Sequence, residues 1–194
     1  MASDRLQGEA GAAAGSALHI ATSADGPFAI DRDHEAFSDI TVDGLAERLR
    51  RDLPLHSPEV VLLLVGTNDL IAGAAPDVVV GRLAALIDGV LAQAPRSQLL
   101  VASLVGVRPV SKLAGVGEGL GVVNAGLQAA VSARAARGEP VRFVDLRARV
   151  GRAAADFEPD GDGLYLSPRG YEELAQAWYE ALGPLLTAGP GRSR

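Results

Sequence analysis

The segment EVVLLLVGTNDL, Glu59–Leu70, decides the reading of the chain. Val60 to Val65 form an unbroken apolar run with three β-branched valines, set off by Pro58 before it and Gly66 after it. An unbroken run, in place of alternation, predicts a parallel strand buried on both faces. Gly66 lets the chain turn sharply off that strand. Asn68 then stands at the strand end with a carboxamide to offer. A fixed amide donor there can hold an oxyanion, an effect of roughly 3 kcal/mol on a transition state. The same residues also suit an Asx-turn that merely ends a strand.

Outward from this segment the pattern repeats. ALHIA (17–21), SQLLVASLV (97–105) and VRFVDL (141–146) read as further strands. Between them lie stretches with helical spacing. TVDGLAERLRRDL (41–53) has Thr41 as a cap, and DVVVGRLAALIDGVLAQA begins at Asp77. GLGVVNAGLQAAVSARAARG (119–138) stops at Arg137-Gly138. SPRGYEELAQAWYEALGPLL opens with Ser167 as cap and Pro168 in the first turn. Trp178 and Tyr179 in this last helix read as core residues. The alternation predicts an α/β protein with a doubly wound, mostly parallel sheet and helices on both faces. A single domain is expected over 1–187, with a divergent 1–16 and a flexible tail at 188–194.

With 194 residues, 48% hydrophobic and 22% charged, the chain can bury a sizeable core and lies far from disordered compositions. It has no cysteine, which excludes disulfides and thiolate chemistry. Its net charge of -6 argues against nucleic-acid or anionic-membrane partners. No run reaches the ~18 apolar residues of a membrane span, and the N-terminus lacks the pattern of a signal peptide. A cytoplasmic protein without cofactor is expected, acting on a small-molecule substrate or ligand.

In open α/β sheets, ligands bind at the carboxyl ends of the strands. Three loops qualify: GTNDL after Val65, VGVRPVSKLAGVGEG from Val105, and RARVGRAAADFEPDGDGLYL from Arg147. Thr67 and Asn68 stand in the first. Arg108 stands in the second and suits a carboxylate or enolate, or a plain surface role. The glycines of LAGVGEGLG suggest a mobile lid. His34 lies in the acidic loop DRDHEAFSD and can serve as acid or base. Local hydrogen bonding is its bland alternative. The same acidic loop could offer oxygen ligands to a divalent cation, but its spacing matches no EF-hand, so it reads as a solvated loop. His19 and His56 read as structural. Ser23, Ser38, Ser103 and Ser111 read as capping or turn serines, since none sits in a G-x-S-x-G elbow.

VVLLLVGTNDL, followed by DGDGLYLSPRGYEELAQAWYEAL (160–182), resembles the third and fifth blocks of the SGNH (GDSL-type) hydrolases, small esterases, lipases and carbohydrate deacetylases. DRDHEAFSDITVDGLAERL is similar to the second block of the carbohydrate-esterase branch. The resemblance runs from about Ala17 to Leu186. It implies that Asn68 matches the oxyanion asparagine and Asp162 the aspartate of the DxxH pair. Tyr165 stands at the histidine position, and Asp39 at that of the oxyanion glycine. No GDS occurs. ASDRLQG, Ala2–Gly8, resembles the first block and would put Asp4 or Arg5 at the nucleophile position.

A phenol, ionising near pH ~10, is a poor base at neutral pH. The departures at nucleophile, base and glycine therefore predict against Ser-His-Asp ester hydrolysis. Acid–base chemistry without an acyl-enzyme is expected, with Asp162, Tyr165, Asn68 and His34 as reacting groups and Asp39, Arg108, Thr67 and Asp4 as substrate contacts. A non-catalytic binding protein and an esterase with relocated groups are the alternatives. Almost no chain precedes ASDRLQG, so the family's usual first strand is expected to be missing or rebuilt, and the exposed edges this leaves predict a homodimer that covers them.

Overall fold

The structure, a computed structural model, describes residues 37, 39–108, 113–158, 161 and 163–187. The expectations placed on Asp4, His19, His34, Asp162, Ser23, Ser38, Ser111, the strand 17–21 and the tail 188–194 lie outside these residues. The sheet and its helices belong to the compact unit Asp39–Arg194.

Helix α1, Val42–His56, starts where Thr41 Oγ1 accepts the Gly44 N–H at 3.3 Å. Strand β1, Val60–Leu63, is followed by a one-turn helix α2, Thr67–Ile71, and by α3, Pro76–Gln93. Strand β2, Gln98–Ala102, leads to the long helix α4, Ala114–Ala135. Strand β3, Val141–Val144, runs into 3-10 turns at Leu146–Ala148 and Ala154–Asp156 and then into α5, Pro168–Thr187. Ser167 caps α5, its Oγ accepting the Gly170 N–H at 3.2 Å. The α/β class, the parallel sheet and the flanking helices therefore stand as read from the sequence.

The strands lie in the order β1-β2-β3, both pairings parallel, with Leu62 opposite Leu100 and Leu100 opposite Arg142. Alternation then sorts the side chains. Leu63, Leu99, Val101 and Val141 join Leu45, Leu49, Leu83, Ile87, Leu120 and Leu127 in the main core, beneath α1, α3 and α4. On the opposite face Ala102 packs with Leu146, Ala177 and Trp178, beneath α5.

Four expectations are corrected. Strand β1 is not buried on both faces: Leu62, and Leu64 just beyond it, are 43% and 38% exposed, and among the described residues α5 packs on side chains of β2 and β3. GTNDL is not a loop but carries the turn of helix α2. LAGVGEGLG is not a lid: from Ala114 it is the start of α4. Of its glycines, Gly119 serves close packing, since a Cβ there would stand 3.1 Å from Leu70; further along α4 a Cβ on Gly126 would stand 2.7 Å from Val80. Tyr179 is not a core residue; it is 65% exposed, while Trp178 faces inward as expected.

Candidate functional site

Parallel strands exit on one side, so the three candidate loops share the carboxyl edge of the sheet. The first group forms where β1 ends. Gly66 has φ 125°, a conformation that a side chain would strain. It is also enclosed, since a Cβ would meet Leu83, Val79 and Leu104 at about 3.5 Å. This turn starts α2 and orients Asn68, whose Nδ2 donates to the Ile40 carbonyl at 2.9 Å. The carboxamide thus buckles the start of α2 onto the turn that precedes α1. Thr67 is half-buried beside it.

Asp39 belongs to that same turn and has φ 60°, the left-handed region. Glycine, asparagine and aspartate are the residues that enter this region at least cost. The backbone at Asp39 therefore keeps the shape expected of a glycine position. Its side chain is exposed.

Asp69 was not singled out in the sequence, yet it organises this group. Its side chain is fully buried. Oδ2 accepts the Val42 N–H at 2.9 Å, and Oδ1 accepts Arg82 Nη1 at 2.9 Å. Arg82 reaches on to Asp43 at 3.1 Å. One carboxylate thus ties the start of α1 to α2 and α3. The only sequence signal was an acidic residue directly after Asn68.

The second group forms around β2 and the segment before α5. The Arg108 N–H donates to the Gly163 carbonyl at 2.8 Å, and its Nη1 donates to the Glu158 carbonyl at 3.2 Å. The loop after β2 is therefore fastened to the segment that carries Tyr165. An antiparallel bridge, Phe157 with Leu166, closes that segment, and the Glu158 N–H donates to the Tyr165 carbonyl at 3.2 Å. The Tyr165 side chain is 50% exposed and faces Tyr171 electrostatically. Partial burial, then the Glu158 carboxylate, then Tyr165, raise the Tyr171 phenol above its ordinary range. A backbone hydrogen bond at Leu166 opposes them.

Ser103 is fully buried and works as a turn residue, as expected. Its Oγ donates to Asp145 Oδ1 at 3.1 Å and accepts the Arg147 N–H at 2.9 Å. Asn124, missed in the sequence, pins α4 to the end of β2. Its Oδ1 accepts the Leu104 N–H at 2.7 Å, and its Nδ2 donates to the Leu104 carbonyl at 2.9 Å. The structure thus joins Asn68 with the Asp39 turn, and Arg108 with the Tyr165 segment. Asn68 and Tyr165 do not bond each other.

Residues 9–173 match the model of the GDSL-like lipase/acylhydrolase family. A curated protein of Acetivibrio thermocellus that bears the provisional name endoglucanase X is 30% identical over 159 residues, 80% of this chain. The match spans 65% of that relative's length. Among solved structures, a family 3 carbohydrate esterase of Clostridium thermocellum is 30% identical, with a TM-score of 0.69 over 84% of this chain and 75% of that one. A carbohydrate esterase family 3 structure from Talaromyces cellulolyticus is 21% identical, with a TM-score of 0.67 over 90% and 81%. At that identity the likeness speaks for the fold alone.

Proposed function

The chain belongs to the GDSL-like lipase/acylhydrolase family, and from that premise we propose that it acts on a small, hydroxyl-rich organic substrate by acid–base chemistry without an acyl-enzyme. The observation that carries this reading is Tyr165. By resemblance to the family's fifth block it stands at the histidine position of the DxxH pattern, and its side chain is half-exposed beside Tyr171. A phenol keeps its proton at neutral pH, so it serves as a donor and cannot activate a serine.

In this reading the Asp162 carboxylate takes a proton from the substrate, and Tyr165 gives one to the oxygen that gains charge. No proton is gained or lost overall, which suits cyclisation, elimination or isomerisation. Asn68 and the Asp39 turn supply hydrogen-bond donors. Arg108 and Thr67 serve as further substrate contacts. The 30% identity to a carbohydrate esterase supports a sugar-type substrate. A second reading, a non-catalytic protein that binds such a ligand, is favoured by one observation. The Asn68 amide is already engaged by the Ile40 carbonyl.

A fluorophosphonate probe together with p-nitrophenyl acetate tests the absence of serine chemistry. Neither labelling nor turnover is expected. A labelled serine with ester turnover would return the chain to ordinary acyl hydrolysis. The two readings separate when sugars and sugar lactones are followed by NMR with the wild type, Asp162→Asn and Tyr165→Phe. Conversion lost in both variants supports the enzyme. Saturable binding without conversion supports the binding protein.

A further inference from the structure

Arg147 lies at the same sheet edge, in the 3-10 turn directly after β3. Its backbone is locked: the N–H donates to Ser103 Oγ at 2.9 Å, and Ser103 in turn donates to Asp145. Its guanidinium is not satisfied. Nη1 is fully buried and has no hydrogen-bond partner. Arg82, Arg134, Arg137, Arg149 and Arg169 all hold carboxylates. A buried cationic N–H without an acceptor is unfavourable and rare in native proteins, and an unseen water or ion is a common reason for one.

The surroundings place this unmet donor where a ligand would arrive. Nη1 sits against Gly106, 3.4 Å from where a Cβ would be. Gly106 is pressed backbone to backbone against Gly151, so no side chain from either covers the guanidinium. Two residues beyond Gly106, Arg108 fastens the loop to Gly163, beside the Tyr165 segment. The residue as a whole is only partly buried although Nη1 is closed to solvent, so a ligand would approach from the exposed part of Arg147 and Nη1 would turn out to meet it.

We propose that Arg147 is the anchor of an anion subsite at the carboxyl edge of the sheet, and that it takes the carboxylate group of an acidic organic ligand. The planar guanidinium fork matches a carboxylate with two parallel hydrogen bonds, which supplies the acceptor that the fold does not. The subsite uses the sheet edge and does not depend on proton transfer by Tyr165.

The test is thermal denaturation of the full chain against acetate, glucuronate, phosphate and chloride at matched ionic strength. It is repeated with Arg147→Met and Arg147→Lys. Glucuronate, or acetate and glucuronate together, should raise the melting temperature of the wild type saturably. Acetate acting as well as glucuronate identifies a free carboxylate as sufficient; glucuronate alone identifies a carboxylate borne on a sugar. The apparent affinity should fall at least tenfold in Arg147→Met and partly in Arg147→Lys. Without ligand, Arg147→Met should melt no lower than the wild type, since it removes an unpaired charge. An unchanged carboxylate response in Arg147→Met, a response to phosphate alone, or no response to any anion would overturn the proposal. The last result would identify a structural water as the acceptor.

Discussion

Asn124 spends both ends of its carboxamide on one backbone residue, Leu104, at the point where β2 turns into the candidate loop. Leu104 is fully buried, so water cannot replace either bond. Asn124→Ala leaves a buried N–H and a buried C=O unmet, at about 1–3 kcal/mol for each group. A loss of about 2–4 kcal/mol is expected, read from the urea midpoint at constant slope. No sequence pattern foretold this role, because a lone asparagine among Leu120, Val123 and Leu127 carries no spacing signal. Asn68 was legible since a turn glycine precedes it, whereas Asp69 was not, since its partners Val42 and Arg82 are distant in sequence. Tyr171 gives a prediction in pH. Its folded pKa is raised, chiefly by burial and then by Glu158 and Tyr165. Its neutral form is therefore favoured in the fold, so its contribution is complete below about pH 10 and fades as pH rises through the raised folded value. In a 295 nm titration the last-ionising phenol should disappear in Tyr171→Phe; an unchanged late phase would assign it to another tyrosine.

At the scale of elements, the helices with apolar spacing and a cap were legible to within a residue or two at their starts. Both α1 and α5 begin at the caps that Thr41 and Ser167 supply. Helix α4 was read five residues short because glycine weakens the local helix signal. Tertiary packing overrides it, since α2 and α3 approach α4 so closely that Gly119 and Gly126 have no room for a Cβ. The burial of β1 was misread for a related reason: an apolar run gives the strand, but which helix covers each face depends on topology. Gly170 shows how strictly such contacts bind. In the first turn of α5, a Cβ at this position would run into the Asp156 carbonyl. That carbonyl already accepts the Ser167 N–H at 2.8 Å, so it cannot move freely. Gly170→Ala should therefore push α5 away from the preceding 3-10 turn and cost about 1–3 kcal/mol, the range of overpacked sites. Calorimetry would show it, and an unchanged melting temperature would mean that the two elements can slide apart at no cost.

Across the whole molecule, the residues that hold the fold and those that face the candidate site are largely separate sets. The clamp of Asp69, the Asn124 bridge and the two-faced core lie inside. Tyr165 is half-exposed, and only its backbone carbonyl is engaged in hydrogen bonding among the described residues. A fold held from within leaves the groups at its surface free to vary, which is why the motif order revealed the fold more readily than the reaction. This separation makes Tyr165→His informative. Under the proposed reading the substitution supplies the histidine of the DxxH pattern, and it does so at a half-exposed side chain. Stability should change by no more than about 0.5 kcal/mol, the usual range for an exposed site. For a chain of this size that is about 1–2 °C in melting temperature. Ester turnover should nevertheless stay at background with p-nitrophenyl acetate, because an imidazole accelerates acyl transfer only with a nucleophile placed to give it a proton. A fluorophosphonate-labelled serine in Tyr165→His, absent from the wild type, would show that a nucleophile had been waiting only for its base, and the proposed chemistry would have to be abandoned. Background turnover together with an unshifted melting temperature would place ester hydrolysis beyond the reach of this single substitution.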